Sequence, residues 1–228
     1  MEIRILQLIE GARQASGLTV VIDVFRAMTV EAYVMRNGAA DLLPMGSLED
    51  AYAYRETHPG TILIGERGGK KCPGFDFGNS PSAVKDVDFT GKTVVHTTSA
   101  GTQGIANAVG ADEILTGSLV NAKAIADYIR NSGAEIVSLV CMGLEGLEPT
   151  AEDTLCAEYI KSLVEGKPMD LADGIAECRR TSGAKFFDPA NREIFPEADF
   201  HLSVEADKFD FVLHVEKGTD GWMHTIRK

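Results

Sequence analysis

Five short runs dense in β-branched and other apolar residues constrain the fold of this chain most: LTVVIDVF (18–25), TILIGE (61–66), TVVHTTS (93–99), EILTGSL (113–119) and EIVSLVCMG (135–143). LTVVIDVF is apolar at consecutive rather than alternate positions, a pattern that suits a strand covered on both faces. Helix-like stretches follow or separate these runs. AMTVEAYVMRNG (27–38) ends on a glycine, and SLEDAYAYRETH (47–58) opens with Ser47 and has Asp50 three residues on. TQGIANAVG (102–110) and NAKAIADYIRNSG (121–133) continue the alternation, and helices are expected over 150–166 and 170–183. ADLLPMG (40–46) and FDFVLHVEKG (209–218) add strand-like segments. Strands alternating with helices predict an α/β fold with a mixed, mostly parallel sheet and helices on both faces. The 228 residues are read as one domain with a loop-rich excursion at 184–208.

Several function classes are excluded at this level. The apolar runs are far too short to span a bilayer. The N-terminal MEIRILQLIEGARQ is interrupted by charges, unlike a signal peptide, so the cytoplasm is the expected compartment. The four cysteines, at 72, 141, 156 and 178, form no CxxC pair and are read as reduced structural thiols. A formal net charge of −12 argues against a nucleic-acid or anionic-membrane partner. Self-association into a homo-oligomer is left open.

In a largely parallel sheet, ligands bind beyond the carboxyl ends of the strands. The polar residues expected there are Asp23 and Arg26, Glu66 and Arg67, Thr97 to Ser99, and the stretch from Gly143 to Glu148. A strand-end carboxylate such as Asp23 suits magnesium, and a neighbouring Arg suits a phosphate; a plain helix cap is the competing reading. Phe25 occupies the place where an aspartyl-phosphate enzyme of the haloacid-dehalogenase type needs a second Asp, so that mechanism is unsupported.

After TILI the chain enters GERGGKKCPGFDFGNSPS (65–82), which holds five glycines and two prolines. It is neither a Walker A loop nor a dinucleotide fingerprint. Position 78 is Gly, where a cysteine-phosphatase loop starting at Cys72 would need Arg. The ingredients are still those of an anion site: exposed backbone N–H groups, Arg67, and Lys70 and Lys71, which give the segment a local positive charge on an acidic protein. Asp76 is a candidate metal ligand or base, and Asn79 and Ser80 are neutral donors. A structural Ω-loop is the alternative. HTTSAGTQG (96–104) leads a strand into a helix through Thr98, Ser99, Gly101 and Thr102, suited either to a phosphate or to ordinary capping; His96 reads as a packed histidine. PTAEDTLCAEYI (149–160) has the form of a capping box, Thr150 with Asp153, and Asp153 is equally a candidate metal ligand.

Taken in order, VIDVFRAMT, GERGG with GFDFGNSP, TTSAGT, GSLVNA and AEDTLCA resemble the motifs of the 2-phosphosulfolactate phosphatase family over nearly the whole chain. Ser99–Ala100 stand where the family's usual motif has Asn, and Glu158 follows LCA where a small residue is usual. The resemblance implies a magnesium-dependent phosphatase of mixed α/β fold. Its family reaction releases phosphate from 2-phospho-3-sulfolactate, a step in coenzyme M biosynthesis. The combined reading is hydrolysis of a phosphate monoester on a small anionic hydroxy acid. Asp23 and Asp76, with Glu66 and Asp153, would hold Mg2+; Arg26, Arg67 and the turn from Thr98 to Thr102 would neutralise the phosphoryl oxygens. Lys70 and Lys71 would attract a second anion. A non-catalytic anion or nucleotide sensor and a phosphosugar isomerase are the rival readings.

Overall fold

The computed structural model describes residues 1–167 and 169–228. Ten strands form one sheet, and nine α-helices lie among the described residues. The strands are β1 (Glu2–Gln7), β2 (Gly17–Ile22), β3 (Asp41–Pro44), β4 (Ile62–Arg67), β5 (Lys70–Lys71), β6 (Thr93–Thr97), β7 (Ala111–Gly117), β8 (Ile136–Cys141), β9 (Leu213–Lys217) and β10 (Met223–Arg227). The helices are α1 (Leu8–Gln14), α2 (Ala27–Arg36), α3 (Leu48–Thr57), α4 (Pro81–Val84), α5 (Gly101–Asn107), α6 (Ala122–Ser132), α7 (Ala151–Val164), α8 (Ala172–Arg180) and α9 (Glu197–Ser203).

The sheet consists of two parallel blocks joined by an antiparallel hairpin. β1-β8-β2-β7 form one block and β3-β6-β4 the other, with β9-β10 between them and β5 added at the far edge. The three antiparallel pairings in succession, β7 with β9, β9 with β10, and β10 with β3, make the two blocks run in opposite senses. The joint is thin, because β10 meets β3 through one residue pair, Thr225 with Leu42.

The continuous apolar runs are explained by burial on both faces. In β2, Val20 and Ile22 pack with Ile125 and Ile129 of α6 and Ile160 of α7, while Val21 between them packs with Ala12 of α1 and Ile105 of α5. The second block repeats this arrangement: Leu42, Ile64 and Val94 face α2 and α4, and Leu43, Leu63 and Val95 face α3. α2 is buried at nine of its ten residues, the polar Thr29 and Glu31 among them. Ser47 caps α3 as its sequence predicts, accepting from the Asp50 N–H at 3.2 Å.

Three segments differ from expectation. β2 ends at Ile22, so Asp23 to Arg26 form the turn into α2. The β1–α1 unit has no counterpart in the predicted elements, because Leu8 turns strand into helix at φ 67 without a Gly, Pro or Asn to mark the turn. Thr150 precedes α7 but makes no capping bond. Residues 184–208 contain two short 3-10 turns and α9. Their Phe186 and Phe200 join Phe25 in an aromatic cluster with centroid separations of 5.1 and 5.4 Å from Phe25.

Candidate active site

A pocket of about 350 Å3 opens where both blocks end. One block supplies Asp23 after β2 and Gly143 after β8; the other supplies Glu66 at the end of β4 and Ser99 after β6. The segment beyond α8 closes it with Ser182, Lys185 and Phe195. The site thus lies between two opposed blocks rather than along one edge of a uniform parallel sheet.

Two carboxylates tie its loops together. Glu66 accepts from Ser99 N–H at 2.7 Å and Gly69 N–H at 2.6 Å, joining the turns after β6 and β4. Asp153 accepts from Val24 N–H and Gly143 N–H, both at 2.8 Å, joining the turns after β2 and β8. Burial pushes the Asp153 carboxyl well above its ordinary range, and the charges of Glu152 and Asp23 add to the effect. Asp153 has both oxygens on backbone donors, as Glu66 does, but unlike Glu66 it is not in the pocket wall.

Asp23 is 6% exposed. Its Oδ1 accepts from Ala27 N–H at 3.2 Å. Its Oδ2 lies where a side chain on Gly101 would come within 3.0 Å, so α5 approaches this carboxylate only because position 101 is glycine. Burial pushes the Asp23 carboxyl up to about 6; the Ala27 N–H opposes that shift, and the charges of Glu66 and Glu152 reinforce it. Burial also raises Glu152, against the Ser182 hydroxyl that donates to it and the nearby Lys185 charge. Lys185 is lowered, chiefly by burial. Its ammonium lies 5.1 Å from the Phe195 ring centroid and has no carboxylate within ion-pair distance among the described residues. Arg26 is pinned to Asp199 at 2.8 Å and lies over Phe195 at 4.9 Å.

Several expected residues stand elsewhere, for identifiable reasons. Neighbours on an extended chain point to opposite sides. In FDF, Phe75 is buried and Phe77 packs on the core, which turns Asp76 outward; its Oδ2 accepts from Leu63 N–H at 2.8 Å and faces Arg55 at 3.4 Å. The same alternation sends Arg67 away from Glu66's side, to donate to Thr97 Oγ1 at 2.9 Å and to its own neighbour's carbonyl. Asp76 and Arg67 are therefore not in the pocket wall. The Thr98 and Thr102 hydroxyls are buried in reciprocal bonds to each other's backbone N–H, at 3.2 and 2.9 Å. Ser80 donates to Asp199 at 2.8 Å. Lys70 and Lys71 are exposed on β5, along a groove beside the pocket. Asp23, Arg26, Glu66, Asn79 and Ser99 do line the pocket.

Glu152 and Lys185 were missed. Glu152 adjoins Asp153 at the start of α7, and of the pair it is Glu152 that lines the pocket, whereas capping logic draws attention to Asp153. Lys185 sits in AKFF (184–187), where a lone cation beside aromatic residues was the only available signal.

Four carboxylates in the wall, Asp23, Glu66, Glu145 and Glu152, face two cations, Arg26 and Lys185. An anion would meet net repulsion there unless a cation joined it. The donors are hard oxygens, and Asp23 Oδ2 has no protein partner among the described residues, which fits magnesium. Among the described residues no three acidic, His or Cys side chains converge into a metal cage. Magnesium characteristically takes one or two carboxylates plus phosphate oxygens and water, so this donor set remains suitable.

The sequence profile described as 2-phosphosulpholactate phosphatase matches residues 3–217. A protein of Bacillus subtilis named as a probable 2-phosphosulfolactate phosphatase is 29% identical over 93% of this chain and 92% of its own length. Proteins with the same name from Carboxydothermus hydrogenoformans and Caldicellulosiruptor saccharolyticus are 38% and 37% identical, over 76% and 73% of this chain and 72% and 71% of their own lengths.

Proposed function

Because the chain belongs to the 2-phosphosulfolactate phosphatase family and is thus a phosphoric monoester hydrolase, we propose that its pocket hydrolyses the phosphate ester of a small hydroxy acid bearing a second anionic group. The leading substrate is 2-phospho-3-sulfolactate, with water as the phosphoryl acceptor and Mg2+ as the cofactor. The observation that carries this reading is the placement of Asp23, buried, with one carboxylate oxygen free, in the same small pocket as the unpaired ammonium of Lys185.

Asp23 and Glu66 are the residues to hold the metal. Magnesium, when bound, supplies positive charge beside the phosphoryl oxygens and makes hydroxide accessible near neutral pH. Lys185 and Arg26 orient the anionic ends of the substrate; the planar Arg26 fork is already held in place by Asp199. Glu152, raised by burial, is suited to hold a proton and return it to the departing hydroxyl as the ester P–O bond breaks. Phe25 and Phe195 in the wall limit water around the reacting groups. Lys70 and Lys71 on the rim would attract the acid before it enters. The setting we assign is cytoplasmic, with no nucleic-acid or membrane partner; no helix among the described residues is long and apolar enough to cross a membrane.

The test is to incubate the purified protein with 2-phospho-3-sulfolactate and other phosphorylated hydroxy acids, with magnesium or with a chelator, and to follow free phosphate. Metal-dependent release is expected. Binding without release would instead indicate a sensor and overturn the catalytic assignment.

A further inference from the structure

The pocket's wall is connected to the centre of the molecule by a chain of buried polar groups that the reading above leaves unused. Glu31, fully buried on α2, accepts from the Thr116 hydroxyl of β7 at 3.2 Å through Oε2 and meets His96 Nδ1 of β6 at 3.0 Å through Oε1. The other ring nitrogen of His96, Nε2, meets Asn79 Oδ1 at 3.2 Å. Every polar atom of Glu31 and His96 is therefore engaged, and His96 is 1% exposed. Asn79 is different. Its oxygen faces His96, and its Nδ2 has no protein partner among the described residues, although Asn79 is 5% exposed and lines the pocket with Asp23 and Glu66.

An asparagine amide can present either of its ends, and the two are opposite in hydrogen-bonding sense. With Glu31 Oε1 against Nδ1 and Asn79 Oδ1 against Nε2, both ring nitrogens face acceptors, so this arrangement requires a proton on each, an imidazolium paired with the Glu31 carboxylate, and it leaves the two Nδ2 hydrogens without a protein partner among the described residues. The reverse orientation would put a carbonyl oxygen beside the carboxylates of Asp23 and Glu66 and against any incoming oxyanion, which is electrostatically unfavourable. We propose that His96, held by Glu31, is a positioning residue that locks the Asn79 amide with its nitrogen toward the pocket, where it donates to a phosphoryl oxygen. The proposal rests on the phosphatase reading of this pocket and adds to it a donor and the device that aims it. The His96 side chain is then more than packing: without it the amide is free to turn, and the donor is lost for part of the time.

The test is a double-mutant cycle read by calorimetric titration of inorganic phosphate in the presence of magnesium. Asn79→Ala and His96→Phe are each expected to weaken phosphate binding ~10-fold or more, as expected for losing a hydrogen bond to a charged group. The double variant is expected to bind within about twofold of Asn79→Ala, because His96 acts only through Asn79. Independent, multiplying losses would show that His96 does not act through the amide and would overturn the proposal. Thermal unfolding identifies whether His96→Phe folds. If it does not, His96→Gln decides the question: its amide nitrogen can still donate to Asn79 Oδ1, so phosphate binding should stay within about threefold of wild type with the melting temperature held, and a loss as large as that of Asn79→Ala would overturn the proposal. A wild-type protein that hydrolyses monoesters yet fails these tests would sink only this inference. A wild-type protein that neither binds nor releases phosphate would sink the reading of the pocket and this inference with it.

Discussion

In the proposed reaction Asp23 carries the largest share of the chemistry. It is buried with its negative charge uncompensated, between Glu66 and Glu152, and its carboxyl is pushed up to about 6, an arrangement that costs stability and is characteristic of functional positions. Asp23→Asn keeps the Oδ1 that accepts from Ala27 but removes the negative charge that a metal would meet at this point. Turnover is expected to fall ~1,000-fold or more, equivalent to several kcal/mol of lost charge stabilisation, with a thermal unfolding profile at least as stable as wild type. Full activity in the variant would remove Asp23 from the mechanism. In that proposal Lys185 has the complementary role. Lys185→Met preserves most of the apolar stem against Phe186 and Phe195 and deletes the charge, so KM for a doubly anionic ester should rise ~10- to 100-fold while kcat changes much less. Steady-state kinetics on the two variants separate the roles.

At the scale of elements, the weak point of the fold is the hairpin that joins the two blocks. β10 meets β3 through a single pair of residues, and His224 reinforces the joint, with Nδ1 at 2.8 Å from Asp41 of β3 and Nε2 at 3.0 Å from Asp220 of the hairpin turn. Burial alone would lower its pKa, but Asp41 and Asp220 outweigh burial and raise it above 6.5. A basic group raised on folding contributes stability that is fully present below its unfolded value and is lost as pH climbs through the folded one. The His224→Ala variant should therefore be less stable than wild type by about 1 kcal/mol near pH 6, with the gap closing towards pH 9; chemical denaturation across that range measures it, and a gap that widens with pH would contradict the assignment. Elements of this kind are hard to read from sequence. The central strands are legible because burial on both faces imposes near-continuous apolar runs such as TVVI, and α2 because only Glu31 interrupts VEAYVM. β1, β5 and β10 are edge or joint strands whose residues are half exposed, and Leu8 bends the chain without a turn residue, so neither composition nor punctuation marks them.

For the whole molecule, the legible part of the site was the set of strand ends, and the illegible part was which side of each strand faces inward. Asp23, Arg26, Glu66 and Ser99, expected from the rule that ligands bind past the strand ends, and Asn79, expected from the glycine-rich loop, do line the pocket. Asp76 and Arg67 carry suitable chemistry but the wrong parity, and alternation in FDF and in GER was the signal to use. Lys185 depends on how the segment after α8 folds back over the pocket, a long-range arrangement that no local pattern encodes, and Glu152 on which of two adjacent carboxylates in the first turn of α7 faces the pocket. The most direct test of the account is anomalous diffraction from crystals grown with Mn2+ in place of magnesium and inorganic phosphate as the product. The account predicts a manganese peak against the Asp23 carboxylate, with phosphate between it and Lys185. A peak on the outer face at Asp76, with the pocket lacking both ions, would contradict it.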